Sequence, residues 1–294
     1  GGTILKDLVY VTGHKNPDSD SICSAFSYSE FKKKTTNLPV IPVRLGDVSQ
    51  ETKFILDYFG VEAPQLLETV KLKVEDLEID NIEPVLPELS LKNAWNIMRD
   101  NHLKSLPVVG KNKRLKGILS ISNLTSSFMD ILDNKILSKS NTSIENILDT
   151  LEAKSLYIND SCKTFKGKIA VTAMQPESLK EIVDEGDVVL VGDRPEVQQA
   201  LIDIKISLMI ITGSHELTSE LLEKAKANGV TVISTPYDSF TASRLLLQSI
   251  PVGYVMATDN LISFSTDELV DDIKSVMAET RYHSYPVTDE DGVL

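Results

Sequence analysis

Ser105-Leu106-Pro107-Val108-Val109 and Ser284-Tyr285-Pro286-Val287-Thr288 align without gaps at an offset of 179 residues, and this repeat decides the architecture. At the same offset Met98 pairs with Met277 and Leu115 with Leu294. An amphipathic helix is predicted ahead of each Pro-Val strand. Its buried face carries Leu91, Ala94, Trp95 and Met98 in the first copy and Val270, Ile273, Val276 and Met277 in the second. Each copy therefore reads as helix, turn, strand, polar turn, strand. The first runs on through Gly117-Ile118-Leu119-Ser120-Ile121-Ser122-Asn123-Leu124, and the sequence stops at Leu294, before the equivalent residues of the second.

Between the copies, residues 129–249 read as a separate α/β unit. Strands are predicted over Lys168–Met174, Asp187–Gly192, Ile206–Thr212 and Val230–Ser234. They alternate with helices over Pro195–Asp203, Glu216–Asn228 and Ser239–Gln248, with Pro195 at its permitted first position and Gly229 as a stop. Alternation of this kind implies parallel pairing through right-handed crossovers.

Upstream, residues 1–70 also read as α/β. A β-rich run, Asp7–Thr12, leads into Gly13-His14-Lys15-Asn16-Pro17-Asp18-Ser19-Asp20, and a helix over Ser21–Lys34 follows, with Ile22, Ala25, Phe26 and Phe31 able to share a face. This order places His14, Asp18 and Asp20 at the carboxyl end of a strand, where α/β sheets bind ligands. Imidazole and hard oxygen donors are what a dinuclear metal site needs, and the helix start offers amides to an anion. The same residues also serve as a helix N-cap and turn hydrogen-bonders in many proteins, so the pattern by itself leaves both roles open. A second strand (Pro39–Arg44) and a helix (Glu51–Phe59, with Phe54, Ile55, Tyr58 and Phe59 on one side) continue the segment.

Composition narrows the function. The 294 residues are 41% hydrophobic and 25% charged, and the net charge of −13 disfavours a nucleic-acid partner, whose phosphates call for lysine and arginine. No apolar run of about 18 residues and no signal-peptide layout appears, so no membrane association is expected and the reading is cytoplasmic. Cys23 and Cys162 lack a paired metal spacing and are expected to be reduced structural thiols.

The repeat resembles a pair of CBS domains, modules that bind adenine nucleotides in the clefts between them. Gly117, Ser120 and Asn123 match the ribose and phosphate tail of that family, with asparagine where aspartate is commoner. Lys104 and Ser105 in one copy and Arg281, Tyr282, His283 and Ser284 in the other complete the expected nucleotide-binding set. Lys104 and Arg281 are read as phosphate cations or as solvated surface charges, and Tyr282 as a stacking face for adenine. Asp193-Arg194 and Thr212-Gly213, each just after a strand, resemble the DRTGG domain, with Ser214 replacing its second glycine. This unit is expected to act as a spacer or oligomerisation element.

The string from Gly13 to Ala25 is similar to the first motif of the DHH phosphoesterase superfamily. Its Ser-Ile-Cys-Ser-Ala ending, with Val43-Arg44-Leu45-Gly46 and Glu51-Thr52, resembles the family II inorganic pyrophosphatases. A subgroup of that family carries a CBS, DRTGG, CBS insert after a segment like Leu66-Leu67-Glu68-Thr69. The fold class implied is α/β: a partial Rossmann-like DHH domain (1–70), a first CBS repeat (71–128), a DRTGG-type domain (129–249) and an incomplete second CBS repeat (250–294). The resemblance implies hydrolysis of pyrophosphate to two phosphates by a homodimer. Manganese or cobalt would occupy the dinuclear site, His14 and Asp18 binding one ion and Asp20 the other, with magnesium accompanying the substrate. It also implies regulation by AMP, ADP, ATP or diadenosine polyphosphate. The family's Asp-His-Asn-Glu and Asp-His-His segments are absent, so no complete catalytic set is present and this segment alone is expected not to turn over pyrophosphate. The alternatives are another DHH phosphoesterase, such as an oligonucleotide phosphodiesterase, and a nucleotide sensor without catalysis.

Overall fold

The computed structural model describes residues 8–130, 133–160, 164–172, 174–280, 282 and 284–294. The chain divides into two compact units, Gly1–Ile79 with Asp267–Glu279 and Asp80–Thr266 with Thr280–Leu294.

In the first unit, β1 (Val9–Val11), α1 (Ser19–Thr35), β2 (Val40–Arg44), α2 (Gln50–Phe59) and β3 (Gln65–Leu66) form a parallel sheet in the order β1-β2-β3 with its helices. Val40 and Val43 of β2, Ile22 and Ala25 of α1 and Leu56 of α2 are buried. Phe31, read as part of the α1 face, is exposed. So are the α2 aromatics: Phe54, Tyr58 and Phe59 do cluster, with ring centroids 6.4 and 5.1 Å apart, but are 71–75% exposed. The helix turns Thr52 and Leu56, one turn apart, inward instead. Cys23 is an exposed free thiol rather than a structural one, and Cys162 lies outside the described residues.

The second unit opens on the first repeat: α3 (Leu91–Asp100), β4 (Ser105–Val109), β5 (Leu115–Ser120) and α4 (Ile121–Asp130). β4 and β5 are an antiparallel pair, and Val85 bridges in parallel to Val108. After α5 (Ile136–Lys139) and α6 (Ile144–Thr150) comes the central sheet. Its strands are β6 (Lys154–Tyr157), β7 (Ile169–Val171), β8 (Val188–Val191), β9 (Leu208–Ile211) and β10 (Thr231–Ser234), in the order β6-β10-β9-β8-β7. β7 to β10 are parallel as expected, and β6 adds an antiparallel edge.

α7 (Pro176–Leu179), α8 (Pro195–Ile204), α9 (Ser219–Ala227) and α10 (Ser239–Leu246) follow successive strands of this sheet. Both of its faces are covered, which is why Val-Val-Leu-Val and Leu-Met-Ile-Ile are continuous apolar runs. Val189, Val191, Met209, Ile211 and Val232 pack with Leu201, Ile202, Leu221 and Ala225 on one side. Val188, Leu190, Leu208, Ile210 and Ile233 share the other core with Ala242, Leu246 and, from the first repeat, Met98, Leu106 and Leu119.

In the second repeat β11 (Phe264–Ser265) pairs in parallel with β12 (Val287–Thr288). Phe264↔Val287 repeats Val85↔Val108 at the 179-residue offset. Of the expected buried face on α11 (Val270–Thr280), Ile273 is buried while Val276 and Met277 are 37% and 41% exposed. The helix up to Glu279 groups with the first unit, where Val270 N donates to Leu72 O at 2.8 Å.

Candidate functional site

The metal-type turn follows β1. Its first residue, Gly13, has no room for a side chain, since a Cβ there would sit 1.8 Å from Ser21 Oγ. Asp18 is the N-cap of α1, with Oδ1 accepting from Ser21 N at 2.8 Å. The same oxygen lies 3.4 Å from His14 Nε2, and both side chains are more than half exposed. The Ser21 amide first, then the imidazole, holds the Asp18 carboxyl below its usual range. Asp20 Oδ1 is within 3.5 Å of Ser24 Oγ, on the helix itself.

His14 and Asp18 thus come together, Asp20 stands apart from them, and no cluster of three metal-ligating side chains forms among the described residues. An imidazole and a carboxylate in mutual reach are a fitting donor pair for manganese or cobalt. The turn passes close to Gly46, where a Cβ would lie 2.5 Å from Lys15 O and 3.0 Å from Pro17 Cδ.

In the second unit, Ser105 and Ser284 share a hydroxyl hydrogen bond. Ser105 is the β-register partner of Ser120. Ser120 N and Oγ both donate to Asn123 Oδ1, at 2.9 and 2.6 Å, and Asn123 N returns to Ser120 Oγ at 3.2 Å. This reciprocal pair is a capping box at the start of α4. Ser284, Ser105, Ser120 and Asn123 therefore form one polar cluster.

Lys104, next to Ser105, is exposed, and its carbonyl accepts from Ile121 N at 3.2 Å. Tyr282 is 53% exposed, with its ring 5.9 Å from that of Tyr285, and Tyr285 lies 5.1 Å from Phe264. Arg281 and His283 lie outside the described residues. Gly117 stands apart from the cluster. A Cβ on it would meet Met256 Sδ at 2.6 Å and Ala257 O at 2.7 Å, where Ile118 and Ala257 exchange two backbone hydrogen bonds. Sequence reasoning missed Met256 and Ala257, whose only signal is the glycine opposite them.

Comparison with known proteins gives these features a context. A CBS domain model matches residues 74–130 and 252–294, and a DRTGG domain model matches 146–249. The chain is 62% identical over 288 residues to a cobalt-dependent inorganic pyrophosphatase of Clostridium perfringens, covering 98% of this chain and 52% of that protein. It is 32% identical over 289 residues to a probable manganese-dependent inorganic pyrophosphatase of Thermotoga maritima, again covering 98% and 52%. The chain thus spans about half the length of these curated relatives. A solved structure of the CBS and DRTGG domains of the regulatory region of Clostridium perfringens pyrophosphatase, complexed with the activator diadenosine tetraphosphate, is 58% identical. It superposes with a TM-score of 0.73, over 76% of this chain and 96% of that one.

Proposed function

We propose that the chain is the adenine-nucleotide-sensing region of a CBS-domain-containing inorganic pyrophosphatase, joined to one corner of its metal site. The observation that carries the reading is the cluster of Ser284, Ser105, Ser120 and Asn123, which gathers hydroxyl and amide partners for a nucleotide where two repeats meet. Lys104 beside it supplies phosphate charge, Tyr282 a stacking face, and Arg281 and His283 belong to the same proposed set. AMP and ADP as inhibitors and ATP or diadenosine polyphosphates as activators are proposed ligands. A ligand shifts an equilibrium only through unequal affinity for two arrangements, so regulation requires the cluster to differ between them.

The reaction proposed for the whole enzyme is hydrolysis of pyrophosphate to two phosphates. Manganese or cobalt would supply Lewis acidity there and magnesium would accompany the substrate. His14 and Asp18 would hold one ion and Asp20 the second. Ser21 N fixes the Asp18 carboxylate, keeping it ionised and aimed. A cytoplasmic homodimer belongs to the same reading. An apolar groove of about 320 Å³ lined by Leu91, Trp95, Ile121, Leu124 and Phe128 supports it, because Trp95 and Phe128 are 44% and 54% exposed and such patches mark interfaces.

Calorimetry with diadenosine tetraphosphate tests the sensing role. Saturable binding is expected, and no heat at millimolar ligand would refute it. Purified 1–294 with manganese or cobalt is expected to release no phosphate from pyrophosphate, and measurable release would contradict the incomplete site.

A further inference from the structure

The turn that carries His14, Asp18 and Asp20 is anchored by a residue outside it. Thr52, on the first turn of α2, is fully buried. Its Oγ1 lies 3.0 Å from Ser19 Oγ and 2.8 Å from Ser49 Oγ, while its amide donates to Ser49 Oγ at 3.1 Å. Ser19 sits between Asp18 and Asp20, and Ser49 is the N-cap of α2. One hydroxyl therefore ties the first residue of α1 to the first turn of α2.

We propose that Thr52 is a positioning residue for the metal-ligand turn, acting through the Ser19, Thr52, Ser49 hydroxyl chain. Both contacts require a hydroxyl at position 52, whose oxygen brings two lone pairs and one proton to Ser19 Oγ and Ser49 Oγ. A methyl in place of that oxygen leaves both serines without this partner. Because Ser19 is flanked by the two carboxylates, its tether sets the direction in which α1 begins, and with it the separation of Asp18 from Asp20. Within the turn the Ser21 amide holds the Asp18 carboxylate. Thr52 adds a directional hold from α2.

The metal side of this inference rests on the proposed pyrophosphatase reading, so the test separates the two. Hydrogen exchange is measured on the whole chain without metal, for wild type, Thr52→Val and Thr52→Ser, with the amides of β8 to β10 as the internal standard. Thr52→Val is expected to speed exchange at residues 19–22 about fivefold, the loss of one hydrogen bond, while Thr52→Ser exchanges as wild type. Manganese broadening of the His14 ring resonances should then require about fivefold more metal in Thr52→Val alone. Wild-type exchange at 19–22 in Thr52→Val would overturn the proposal, as would Thr52→Ser behaving like Thr52→Val. If manganese leaves the wild-type His14 resonances unchanged, the metal reading falls, and the exchange ratio still decides whether Thr52 holds the turn.

Discussion

Ser105 and Ser284, equivalent positions of the two repeats, are hydrogen-bonded to each other through their hydroxyls. Arg114 and Val293, equivalent at the same 179-residue offset, also meet, as an isolated antiparallel bridge. Residues that contact their own counterparts lie on or beside a pseudo-twofold axis, so the repeats face each other and any ligand held there meets related groups from both. The serines act as a pair. Ser105→Ala or Ser284→Ala is expected to weaken diadenosine tetraphosphate binding about fivefold, and the double variant to stay within about twofold of either single. Calorimetry on the three variants decides it; additive losses would mean that each hydroxyl serves the ligand on its own.

Asn123 spends its side-chain oxygen on Ser120, whose amide and hydroxyl both donate to it. Asn123→Ala opens the capping box and is expected to cost about 1 kcal/mol. Asn123→Asp keeps the acceptor and should leave stability near wild type, with urea unfolding as the measurement. The contrast identifies the carbonyl oxygen, rather than the amide nitrogen, as the part of Asn123 that the free chain uses.

Gly117 meets the entry to the second repeat, with Met256 Sδ and the Ala257 carbonyl standing where a Cβ would go. The thioether can move. The carbonyl is fixed by its bond from Ile118 N at 3.0 Å. Gly117→Ala is therefore expected to destabilise the second unit by about 1–3 kcal/mol, the range for overpacking. Faster hydrogen exchange at Ile118 and Ala257 would locate the damage.

The repeat was legible because an ungapped match at one offset needs no propensity argument. Its first strand was not: Val85 makes a single bridge and Phe264–Ser265 is two residues long, too short for any alternation to register. On α2 the three aromatics outweighed a threonine in the sequence, yet Thr52 is the residue turned inward, because its hydroxyl finds two partners there. Burial of a polar group depends on partners distant in sequence, here Ser19, which no local pattern announces. The placement of His14, Asp18 and Asp20 after a strand and at a helix start was legible, while the pairing of His14 with Asp18 follows from Asp18 capping an α1 that starts at Ser19.

Acid should weaken the second unit through carboxylates that have favourable native partners. The Thr241 hydroxyl, then the Thr241 and Phe240 amides, holds Asp238 below its ordinary 3.8 as it caps α10. The Lys168 ammonium, 2.7 Å away, does the same for Asp184, and Lys139 for Asp133. A carboxyl depressed in the folded state contributes stability that is fully present above its unfolded-state value. That contribution is lost as pH falls through the folded-state value, so the window lies below about pH 4. All three groups are solvent-accessible, so the lysine contributions are screened by salt as well. Urea midpoints are expected to be level from pH 7 to about 5 and to fall progressively below about 4. Asp238→Asn retains a side-chain acceptor for the cap but removes the titrating group, so its midpoint should decline less steeply with acid than that of wild type. Equal slopes for the two proteins would show that Asp238 titrates alike in the folded and unfolded chain.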